Sequence, residues 1–157
     1  MSKIKLMNMK WLVILLCLPF VTSCLEDLPA YEEAEITKVG FFHRFAGPNK
    51  DAVTGEPIMV EKELTCTSDI NSEAATVNVK VTVPVANGDF TDAERAKVVQ
   101  GKLWGYFTVS TAARVSPLSG TSALGTPDDW TKEHQFEVMA ADGTKKVWTV
   151  KVTEFNR

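Results

Sequence analysis

The run Leu103-Trp104-Gly105-Tyr106-Phe107-Thr108-Val109-Ser110 sets two large aromatic side chains two residues apart. In a strand, alternate residues share a face. A register that buries Leu103, Phe107 and Val109 therefore turns Trp104 and Tyr106 to the opposite side, together with Thr108 and Ser110. Two rings about 7 Å apart on a wet sheet face form a flat platform. The C–H faces of a sugar ring can stack there while neighbouring hydroxyls and amides orient it. Trp104 and Tyr106 are accordingly the candidate ligand-binding residues. The competing reading covers both rings with the segment 91–99 or the loop 116–127, because large aromatic side chains are mostly buried.

Other reactive side chains are sparse. His43 and His134 stand far apart, without the His/Cys/Asp spacing of a zinc site, and read as strand or loop residues. Glycine-rich phosphate loops, nucleophile elbows and Cys–His motifs are missing from the sequence. Acids are plentiful, and Glu61, Glu63, Asp128, Asp129 and Glu137 could in principle supply a carboxylate pair for glycoside hydrolysis. Solvation on wet strand faces and in loops explains them more simply. Asp89, Asp128 and Asp129 could assist calcium binding, but no EF-hand spacing accompanies them. The chain is expected to have no catalytic residues, no metal site and no cofactor apart from a covalent lipid.

The elements that would carry the platform are strands. Val39, Phe41, His43 and Phe45 alternate with Gly40, Phe42 and Arg44, and residues 47–57 hold turn chemistry. A second strand is expected over 58–67. Val77, Val79, Val81 and Val83 alternate with Asn78, Lys80 and Thr82, one dry face against one wet, and Pro84 ends that run. Thr91-Asp92 followed by good helix formers predicts a short helix over 91–99 that crosses between sheets. Residues 103–110 form the next strand and 116–120 a loop. The last two strands flank Ala141-Asp142-Gly143-Thr144, and Asp-Gly is a strong hairpin signal. Trp148 is in register with Val150 and Val152 and belongs to the core, while Trp130 plugs one end. About six strands, one helix and no βαβ rhythm predict an all-β, Ig-like antiparallel β-sandwich.

The chain begins with a different composition. Lys3, Lys5 and Lys10 precede the apolar run Trp11-Leu12-Val13-Ile14-Leu15-Leu16-Cys17-Leu18, and no acid occurs before residue 24. A basic start and a short apolar core describe a secretory signal, since a permanent bilayer span needs about 20 apolar residues. Val21-Thr22-Ser23-Cys24 resembles the lipobox of bacterial lipoproteins. That resemblance implies cleavage before Cys24, diacylglycerol on its sulfur and an acylated amine. Several acyl chains hold a protein firmly, at about 0.8 kcal/mol per buried CH₂. Leu25-Glu26-Asp27 is similar to the acidic surface-export signal of Bacteroidota lipoproteins.

The expected organisation is therefore a signal peptide over 1–23, a lipidated acidic tether over 24–34, and the sandwich over 35–157. The precursor has 17 basic and 20 acidic residues. Removing three lysines leaves 14 against 20, a net charge of −6. Such a surface repels nucleic acid, whose binding rests on neutralised phosphates. Cys17 departs with the signal and Cys24 carries lipid, so Cys66 has no disulfide partner and reads as a small buried strand residue.

A family resemblance lies in the second half. Residues 113–120, Asp129-Trp130, and the run from Phe136 through Ala141-Asp142-Gly143-Thr144 to Trp148-Thr149-Val150-Lys151-Val152 resemble the Ig-like domains of uncharacterised Bacteroidota surface lipoproteins. The likeness spans about residues 35–154. It implies the fold and a cell-surface setting on the outer membrane, and no reaction. The expected function is a non-enzymatic, lipid-anchored module for adhesion, assembly or binding, with a glycan or a surface protein as partner. The alternative is an accessory glycan-binding lipoprotein of a polysaccharide-uptake system. A surface hydrolase using paired acids is the third reading.

Overall fold

The computed structural model describes residues 31–157; the expected signal peptide, Cys24 and most of the tether lie outside the described residues. Among the described residues, nine strands and one helix follow in the order β1 (Ile36–Lys50), β2 (Pro57–Glu63), β3 (Thr65–Asn71), β4 (Thr76–Thr82), α1 (Asp92–Ala96), β5 (Leu103–Val109), β6 (Arg114–Pro117), β7 (Pro127–Asp128), β8 (His134–Met139) and β9 (Lys145–Asn156). They form two sheets, β2-β1-β5-β7 and β3-β4-β9-β8-β6. The all-β sandwich with one short helix is thus the observed fold. All pairings are antiparallel except β4 with β9, which run parallel. The crossover that a parallel pair requires is supplied by everything between β4 and β9.

The core is made by the expected alternations. Val39, Phe41, His43 and Phe45 turn inward from β1, and Val77, Val79, Val81 and Val83 turn inward along and just past β4. Trp130 is buried with its indole edge against Phe41, ring centroids 4.6 Å apart. It also stacks on Phe136, and its Nε1 donates to the Leu103 carbonyl at 3.1 Å. Trp148 is fully buried. The helix begins as expected: the Thr91 hydroxyl accepts from the Glu94 amide. It stops at Ala96, short of the expected 99, and just beyond it Val98 is fully buried. No helix among the described residues is long and apolar enough to cross a membrane.

Three local expectations are corrected. The single strand expected over 58–67 is two, because the chain changes sheets at Leu64, whose buried amide donates to the Phe41 carbonyl at 2.9 Å. β1 continues to Lys50 through the expected turn, pairing Lys50 with Pro57 after a register shift beyond Ala46. Residues 114–117 form β6, an edge strand that accommodates Pro117 because an edge has spare donor positions. The last residues of the expected tether are bonded to the sandwich. The Tyr31 carbonyl accepts from the amides of Ala141 and Asp142, Ala34 is buried, and the Ala34 carbonyl accepts from Trp148 Nε1 at 3.0 Å.

Candidate functional site

Three aromatic side chains share the outer face of the sheet β2-β1-β5-β7. Trp104 and Tyr106 stand on β5, and antiparallel pairing sets Phe42 of β1 directly opposite Trp104 and Gly40 opposite Tyr106. Phe42 and Trp104 are stacked, centroids 6.1 Å apart and planes 19° from parallel, and Phe42 lies 6.5 Å from Tyr106. All three are half-buried. The competing expectation of fully covered rings is therefore met only in part.

Gly40 is what lets the strip lie flat. A Cβ at that position would sit 2.3 Å from Tyr106 Cζ, so the phenol ring rests directly on the β1 backbone. Gly105 performs the opposite service on the inner face, where a Cβ would meet Trp130 Cζ2 at 2.7 Å.

Charged side chains border the strip in opposed pairs. Arg44, two residues along β1 from Phe42, is bonded to Glu61 of β2, with Nε 3.1 Å from Oε1. Its guanidinium also lies over the Phe42 and Trp104 rings, 5.5 and 5.7 Å from their centroids. The Tyr106 hydroxyl donates to Glu63. Lys38 Nζ lies 5.4 Å from the centroid of the same ring. The Glu63 carboxylate holds the phenol above its usual pKa, with desolvation adding to the shift, so Tyr106 remains a neutral donor. Tyr106 is in turn the main influence raising the Lys38 ammonium above its usual value.

Two adjoining concavities result. One of about 410 Å³ is lined by Phe42, Glu61, Glu63 and Tyr106. The other, about 300 Å³, is lined by Lys38, Glu63, Thr65, Cys66 and Tyr106 with Leu64. Cys66 is half-buried in β3 with a free thiol, which burial pushes above its ordinary pKa and keeps protonated.

A family model for DUF5018-related domains matches residues 36–151. The chain belongs to the DUF5018-related family. The DUF5018-related stretch runs from the first residue of β1 into β9 and contains every groove residue. The solved structures include a crystal structure of a protein from Bacteroides fragilis NCTC 9343 that carries the name of a candidate secreted protein. It is 59% identical, spans 82% of this chain and 100% of its own, and has a TM-score of 0.76. This likeness is consistent with the Bacteroidota type that the sequence resemblance implied. No curated protein matches it.

The remaining candidates of the DUF5018-related chain take structural positions. Asp128 accepts from the amides of Ser122 and Asp129, both at 2.7 Å. Burial works to raise its pKa, but those amides and nearby His134 outweigh it and hold the carboxyl low. Asp129 accepts from Thr131. Two of the three acids considered for calcium, Asp128 and Asp129, are thus engaged in their own loop. Among the described residues, no three His, Cys, Asp or Glu side chains are grouped to hold a metal ion. Ser110, expected on the platform face, is buried instead: β5 ends at Val109, and the Ser110 hydroxyl turns back to the Glu33 carbonyl and the Glu35 amide. Thr108 is exposed as expected. Phe42, Arg44 and Lys38 were not singled out from sequence. A phenylalanine at a wet-face position beside a glycine was the available signal for Phe42.

His43 faces the core on the other side of β1. It is 8% exposed, stacks on Phe45, and neither ring nitrogen has a hydrogen-bond partner. Burial lowers its pKa; Glu94 opposes the shift, while Lys102 and Lys97 add to it. The unfolded state therefore takes up the proton first as pH falls. Stability from a neutral His43 is complete above about pH 6.5 and declines as pH drops from there toward the lower folded value. His43→Phe should flatten that decline and add about 1 kcal/mol at pH 5.5. Urea midpoints at pH 5.5 and 7.5 test this; parallel declines in the two proteins would reject it.

Proposed function

We propose that the protein is a lipid-anchored, non-enzymatic binding module on the outer membrane, facing the cell exterior, and that its outer aromatic strip takes a neutral glycan. The observation that carries the reading is the half-buried aromatic strip Trp104–Phe42–Tyr106 on the outer sheet face. Flat apolar rings with hydrogen-bonding groups at their margin match a pyranose, which has C–H faces and a rim of hydroxyls. Each groove charge has an opposite neighbour, Arg44 with Glu61 and Lys38 near Glu63. The groove therefore presents donors and acceptors without net charge, which favours a neutral ligand over an ionic one. This reading follows the accessory-lipoprotein alternative more closely than general adhesion to a surface protein.

Anchoring rests on the basic start, the apolar run and the lipobox resemblance at Cys24. The name of the similar Bacteroides fragilis protein, a candidate secreted protein, supports export. One set of cells tests both parts. Clickable palmitate should label wild type, whereas Cys24→Ser should stay unlabelled and leave the membrane fraction. Purified residues 25–157 applied to a glycan array should bind neutral glycans. Trp104→Ala and Phe42→Ala should each weaken binding about tenfold, as truncation of a buried aromatic contact does. An unlabelled wild type defeats the anchor, and a silent array defeats the glycan reading.

A further inference from the structure

The two concavities share Glu63 and Tyr106 as common walls, which makes them lobes of one cleft. Its axis follows β1. Phe42 and Lys38 lie four residues apart on that strand, about 13 Å along it, a run too long for one pyranose ring and suited to two or three linked rings. The lobes differ in chemistry. Around Phe42 the floor is aromatic, with Glu61 at its rim, and Trp104 stacks against Phe42 from β5. Beyond Tyr106, where β2 ends and the chain leaves for the other sheet, the lining becomes Lys38, Glu63 and Thr65.

Tyr106 divides the lobes. Its ring rests on Gly40, its hydroxyl is held by Glu63, and Lys38 lies over its face. An ammonium with three N–H donors and a carboxylate acceptor on either side of one ring can read adjacent hydroxyls of a sugar. We infer that the cleft binds a linear, neutral oligosaccharide of two or three units, with one ring packed against Phe42, which Trp104 backs, and the next held through its hydroxyls by Lys38, Glu63 and Thr65. This deepens the glycan reading and rests on it.

Calorimetry with cello-, malto-, xylo- and manno-oligosaccharides of one to four units, together with polygalacturonate, provides the test. In the series that binds, affinity should rise at least tenfold from one unit to three and then level off. In Lys38→Met and Thr65→Val, which circular dichroism must first show to be folded, that rise should shrink to less than threefold. Equal affinity for one and three units, a rise that persists in both folded variants, or a preference for polygalacturonate would each overturn the two-lobed assignment while leaving the aromatic strip as a single-ring site. Absence of binding at any length would overturn the glycan reading and this inference with it.

Discussion

Replacing Trp148 with alanine should cost the sandwich about 3–5 kcal/mol and lower Tm by more than about 10 °C. Trp148 heads the fully buried side chains by volume. It stands on β9 opposite Phe136 of β8, so its removal opens a cavity between the sheets. A second part of the loss comes from its indole N–H, which donates to the carbonyl of buried Ala34. Truncation leaves that acceptor without a partner, which accounts for about 1–3 kcal/mol of the loss. The total approaches the lower end of the whole stability of many domains, about 5–15 kcal/mol. Trp148→Phe separates the two effects: it retains most of the packing and loses the hydrogen bond. Residues 31–35 should then become the first site of proteolysis while the sandwich stays folded. Urea titrations followed by circular dichroism measure the difference, and a loss below about 1 kcal/mol for the alanine variant would contradict this assignment of Trp148.

The contribution of Trp148 was readable from its spacing to Val150 and Val152, as were the valines of β4 and the Asp142-Gly143 hairpin. Period-two burial is a local signal, and each of these segments carries it intact. The split between β2 and β3 carries no such mark. Val60, Lys62, Leu64, Cys66, Ser68 and Ile70 keep one parity and point inward throughout, so the chain passes from one sheet to the other at Leu64 without disturbing the alternation. Lys62 occupies an inward position with its ammonium over Phe90, as a long charged side chain can when its apolar stem covers buried surface. The site divides in the same way. The outward turn of Trp104 and Tyr106 follows from the local pattern of β5. Their partners do not, because the pairing that sets Phe42 against Trp104 joins strands some sixty residues apart, and pairing register between distant strands leaves no trace in either strand alone. Ser110 was misassigned for a related reason: where a strand stops is decided by what it must hold, here the segment entering β1.

The two glycines that flank this sheet on opposite faces should respond oppositely to a single added methyl group. At Gly105 the new Cβ would stand 2.7 Å from Trp130 Cζ2 and 3.4 Å from Phe41 Cε1. Trp130 is wedged between Phe41, Phe136 and His134 and tied to the Leu103 carbonyl, so it has nowhere to retreat. Gly105→Ala should therefore destabilise by about 1–3 kcal/mol, the range for overpacking a dense core. At Gly40 the new Cβ would meet the far end of Tyr106 at 2.3 Å, a closer clash on paper. That ring lies on a solvent-facing surface and can swing away about its own torsions, so Gly40→Ala should leave the melting temperature within a few degrees of wild type. The displaced ring breaks the Tyr106–Glu63 bond and disorganises the wall between the two lobes, so glycan affinity should fall about tenfold while the fold persists. Thermal melts and calorimetry on the two variants form a crossed test. If Gly40→Ala lost as much stability as Gly105→Ala, the Tyr106 ring would have to be as tightly confined as the Trp130 ring, and the open groove described above would not exist.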